Sequence, residues 1–91
     1  MISLTDAKQH LLVEHSQDDP LIKRQIDAAR GYLRSLSVDM DSAASQPVLD
    51  QCTLMLIADF YEVRAAADMK PTAENAFAVS ALIAPLRKAY A

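Results

Sequence analysis

A chain of 91 residues with a single glycine, Gly31, has little means of turning a strand sharply back on itself. Two-residue hairpin turns and phosphate-cradling loops both rely on glycine at positive φ, and one copy cannot supply a sheet. The sequence is therefore expected to be all-α, with its four prolines marking where helices start and stop. Hydrophobic residues make up 52% and charged residues 23%, a balance that argues for a folded chain rather than a disordered one. At this length one domain spanning 1–91 and one core are expected.

Helix boundaries follow from the capping chemistry. Ser3 can cap a short first helix of about two turns, with Asp6 at its third position near the positive end of the dipole and Ala7, His10 and Leu11 following. Asp19 before Pro20 places a capping residue next to a proline at the first helical position. Ile22, Ile26, Ala29, Leu33 and Leu36 then recur at steps of three and four, which predicts an amphipathic helix to about Ser35. Gly31 falls inside it, either where another helix approaches closely or as a tolerated surface residue. Ser37 to Gln46 has no sustained periodicity and reads as a surface loop. Pro47 opens a third helix to about Ala66, the longest, and Thr72 caps a fourth carrying Ala76, Val79, Leu82 and Ile83 that Pro85 ends or kinks.

The middle of the third helix is unusual. From Leu54 to Tyr61 only Asp59 is charged, so the segment is apolar around nearly its whole circumference and must be covered on several sides. Three short companions are hard pressed to cover it, and apolar surface left over on this helix would mark an interface. The competing reading makes it simply the central core helix of a four-helix bundle.

Catalytic and metal-binding patterns are weak. His10 and His15 stand five residues apart, about 140° around a helix, and have no cysteine partner for zinc. Asp39 and Asp41 alternate like the first ligands of a calcium loop, but the required glycine and closing glutamate are absent. Asp18 and Asp19 read as helix-start acids rather than a catalytic pair. The lone Cys52 lies in an apolar run, as a small buried hydrophobe in a reducing compartment would. No secretory signal and no apolar run of the roughly 20 residues needed to span a bilayer is visible. A net charge of −3 offers no general attraction to nucleic acid, and the best basic stripe, Lys23, Arg30 and Arg34, is interrupted by Asp27.

Four segments in order resemble the small phage head-tail connector family of long-tailed phages and prophages. They are Ile2-Ser3-Leu4-Thr5-Asp6-Ala7-Lys8-Gln9-His10-Leu11; Asp18-Asp19-Pro20-Leu21-Ile22 leading to Ile26-Asp27-Ala28-Ala29-Arg30-Gly31-Tyr32; Pro47-Val48-Leu49 with Leu54-Met55-Leu56-Ile57-Ala58 and Phe60-Tyr61-Glu62-x-Arg64; and Leu82-Ile83-Ala84-Pro85-Leu86-Arg87. The sequence departs from the pattern at Asp59, where a histidine or neutral residue is usual, at Val63, where asparagine is frequent, and in a short loop after the second helix.

The resemblance implies a compact bundle of about four helices that acts structurally, without catalysis or cofactor. It implies a ring of identical subunits below the portal that extends the DNA channel and joins capsid to tail. The partners implied are further copies of itself, the portal protein and a downstream neck or tail-completion protein, with DNA only as passing cargo and no membrane. The location implied is the virion neck, reached from the host cytoplasm. Phe60, Tyr61, Arg64 and Arg87 are the candidate subunit contacts, the arginines pairing with acids on neighbours. The rival readings are a helical regulatory or adaptor module that binds one partner helix and, more remotely, a DNA-binding regulator.

Overall fold

In a computed structural model the described residues, 2–62 and 71–86, form four α-helices and no β-strand. Helix α1 spans Leu4–Leu11, α2 Asp19–Ser35, α3 Gln46–Glu62 and α4 Ala73–Ile83, with short 3₁₀ turns at Ala43–Ser45 and Ala84–Leu86. The expected all-α bundle with a long third helix is what forms.

The capping chemistry explains most boundaries. The Asp6 backbone N–H donates to the Ser3 hydroxyl and the Ser3 N–H donates back to the Asp6 carboxylate, each at 3.1 Å, a reciprocal box that closes the start of α1. Thr72 accepts from the Asn75 N–H at the start of α4, and the segment containing Pro85 converts its far end to a 3₁₀ turn. At α2 the assignment shifts by one residue. Asp18 occupies the cap position without making a side-chain cap bond, and its carboxylate instead accepts from the Tyr61 hydroxyl at 2.6 Å. Asp19 lies in the first turn and pairs with Lys8 of α1 at 2.8 Å.

Helix α3 is the centre of the core. Leu49, Cys52, Leu56 and Phe60 line one stripe and Thr53 and Ile57 sit beside it, all buried. Thr53 satisfies its hydroxyl by donating to the Leu49 carbonyl one turn back, at 2.7 Å. Helices α2, α4 and α1 surround α3, and the Ala43–Ser45 turn closes its beginning. The predicted stripe of α2 supplies buried Ile22, Ile26, Ala29 and Leu33. Neighbouring Gln25 is only 1% exposed and neither atom of its amide has a partner.

One expectation changes and one open choice is decided. The segment between α2 and α3 is more than a surface loop, because Val38 and Met40 turn into the core and Gln46 Nε2 donates to the Met40 carbonyl at 2.8 Å. Gly31 serves no close approach, since a side chain there would meet nothing within 4 Å.

Helix α4 is stitched to α3 by polar contacts. The Asp59 carboxylate accepts from the Thr72 N–H at 2.6 Å, and Asn75 Nδ2 donates to the Met55 carbonyl at 3.0 Å. A carboxylate at this position faces the positive end of the α4 dipole. Asp59, the one charge in the apolar run of α3, thus helps fix where α4 begins.

Candidate functional site

Among the described residues the titratable side chains make no recognisable reaction centre. His10 and His15 are both exposed. Asp39 Oδ1 accepts from the Asp41 N–H at 3.0 Å, a local turn contact. Cys52 is buried, and desolvation pushes its thiol up, away from the reactive thiolate. Among the described residues no three side chains of metal-binding type come together. No helix among them is long and apolar enough to cross a membrane.

The four contact candidates fall in different places. Phe60 is buried in the core, so any effect it has on a neighbour passes through the position of α3. Tyr61 is half-buried, with its hydroxyl on Asp18, so it ties the end of α3 to the beginning of α2. Arg64 and Arg87 lie outside the described residues.

The uncovered apolar surface is elsewhere. Helix α4 is apolar almost all round, with Glu74 its one charged residue, yet only Val79 and Ile83 are buried. Phe77 is 77% exposed and Leu82 44%. Phe77, Ala81 and Ala84 follow one another at helical steps, with Leu82 and Pro85 alongside, forming a continuous outward face. Of the two readings of α3, leftover apolar surface or central core helix, the structure favours the second. Leu82, one of the residues that mark the fourth helix in the sequence, faces out.

A second surface forms where α1 ends. Leu12 closes the helix with φ of 59°, its N–H donating to the Gln9 carbonyl at 3.3 Å while the Val13 N–H donates to the Lys8 carbonyl at 2.9 Å. This is the bond pattern of a glycine-type helix stop. A leucine there carries a backbone cost of about 1–2 kcal/mol. Its side chain is also 88% exposed. It forms one wall of an open groove of about 410 Å³ lined by Thr5, Lys8, Gln9, Leu12, Val13 and Glu14. Sequence periodicity could not reveal either surface, because it marks apolar residues without saying which of them find a partner.

These features define a class: a helical packing module with a covered central helix, an uncovered apolar helix face and no assembled reaction centre among its described residues. The family model for the phage gp6-like head-tail connector protein matches residues 1–87, and the chain belongs to that family. Its role is that of a structural connector at the virion neck, assembled with other phage head-tail proteins, in a family not known as enzymes. Neither curated proteins nor solved structures yield a match.

Proposed function

We propose that this chain, folding as one domain, is the repeating subunit of a ring that sits below the portal, extends the DNA channel and receives the next neck or tail-completion component. The outward face of α4 carries this reading. Burying a residue such as Phe77 or Leu82 is worth about 1.5–3 kcal/mol, so leaving both in water is unfavourable unless another chain covers them. An overall charge of −3 is compatible with a channel that must let DNA pass without holding its phosphates.

In this proposal subunits are made in the host cytoplasm and assemble on the portal. Arg64 and Arg87 reach acids on neighbouring copies, half-buried Tyr61 contributes at the end of α3, and Phe60 acts indirectly by fixing that end. The test is co-assembly with the portal protein from the same phage, followed by electron microscopy of the complex. The expected result is a ring of this chain coaxial with the portal. A chain that never joins the portal would overturn the proposal.

A further inference from the structure

Leu12 and Phe77 share a property that a monomer does not explain: each is a large apolar side chain held almost fully in water, at 88% and 77% exposure. Neither can be filling the other within one chain. Leu12 sits at a positive φ that glycine would adopt freely, so a monomer would gain stability by losing its side chain.

The two surfaces also differ in form. One is an open groove at the end of α1, bounded by Leu12 and Val13; the other is an aromatic projection from the second turn of α4. Unlike surfaces on one molecule meet head to tail between copies, and such contacts propagate until they close into a ring or run on as a filament. Charge fits the same pairing. Glu74, the one charge on α4, lies one turn before Phe77, and Lys8, the one cation lining the groove, has two ammonium donors beyond the one directed at Asp19. Glu14 also lines the groove.

We infer that Phe77 of each copy seats in the Leu12 groove of the next, making a heterologous joint between successive subunits. This rests on the ring proposal and deepens it by naming the two halves of the joint. One aromatic in one groove buries far less than the roughly 1,200–2,000 Å² of a stable interface, so each joint is weak and closure depends on concentration.

The pairing is tested with Leu12→Gly, Phe77→Ser and their equimolar mixture, by sedimentation at concentrations where the wild-type chain assembles. Each variant alone is expected to be monomeric with wild-type helicity, with Leu12→Gly melting at or above the wild-type temperature. Over a concentration series carried to the solubility limit, the mixture is expected to form a weak one-to-one dimer, populated toward the highest concentrations, and nothing larger, because Phe77 of the first variant meets the intact groove of the second. A mixture that stays monomeric up to the solubility limit overturns the pairing, as does either variant assembling like the wild type. A marked fall in the melting temperature of Phe77→Ser overturns it too, by placing that ring within its own chain. A wild-type chain that is monomeric at every concentration also overturns it. The ring proposal is judged separately, by whether the chain joins the portal.

Discussion

Helices α3 and α4 are alike in sequence and opposite in surroundings. Both are apolar around most of their circumference, but α3 has α1, α2 and α4 packed about it, whereas α4 rests chiefly on α3. Beyond Pro47 in its first turn, the exposed positions on α3 are the polar Gln51 and Glu62; exposed positions on α4 include Phe77, Ala81 and Leu82. The same composition thus serves as core in one helix and as an outer face in the other. Position in the bundle decides between them.

Mutations at the two helices should separate most widely. Leu56→Ala on α3, at a fully buried position, is expected to cost about 2–5 kcal/mol in denaturant unfolding. Phe77→Ser on α4 is expected to stay within about 0.5 kcal/mol of wild type. Equal costs would erase the distinction between a covered and an uncovered helix.

The next effect concerns what holds the two helices together. Asp59→Ala removes the carboxylate that accepts from the Thr72 N–H and should cost about 0.5–2 kcal/mol, the usual range for a lost helix cap. Amide hydrogen exchange should rise first in α4, while protection in α2 persists. Uniform loss of protection would mean that α4 unfolds only with the rest.

A smaller gain is expected in α2. Gly31→Ala has open space for its methyl group and should raise stability by about 0.5–1 kcal/mol. A loss there would reveal a close contact.

The smallest effect is a pH response at α1. The Ser3 backbone N–H, and then its hydroxyl, hold the Asp6 carboxyl below its ordinary value. A depressed carboxyl contributes stability above its unfolded value, near 3.9, and loses it as pH falls through the folded value. Stability attributable to Asp6 should therefore be constant from pH 8 to 5 and decline below about pH 4. Asp6→Asn should remove that part of the decline, as measured by thermal melting.

The sequence makes helix starts easier to read than helix stops. Ser3 with Asp6 and Thr72 are local signals whose hydrogen bonds lie within a turn, and they survive in the structure; at Asp19-Pro20 the helix start is right to within a residue, but Asp18 takes the cap position and makes no side-chain cap bond. The stops of α1 and α2 use Leu12 and Ser37 at positive φ, at positions that favour glycine, while the chain's one glycine lies mid-helix. A reader searching for glycine finds neither. Long-range partners are equally hidden: Asp18 looked like a helix-start acid, but its partner Tyr61 lies 43 residues away.

The interaction surface was half legible for the same reason. An excess of apolar helix was evident, but the sequence could not show that α2 and α4 would both lie against α3 and leave the far side of α4 bare. The Phe60-Tyr61 pair drew attention as an aromatic cluster, yet Phe60 packs inward and Phe77 is the ring left in water. Solitary apolar residues on a short helix give no warning of this.

The central claim is that the bare face of α4 exists to be covered by another copy. Its most direct test is absolute mass by light scattering over a concentration series, starting from a 10.0 kDa subunit. The account predicts a rise from the subunit mass to a plateau of many copies. A constant mass of one subunit up to the highest soluble concentration would contradict it.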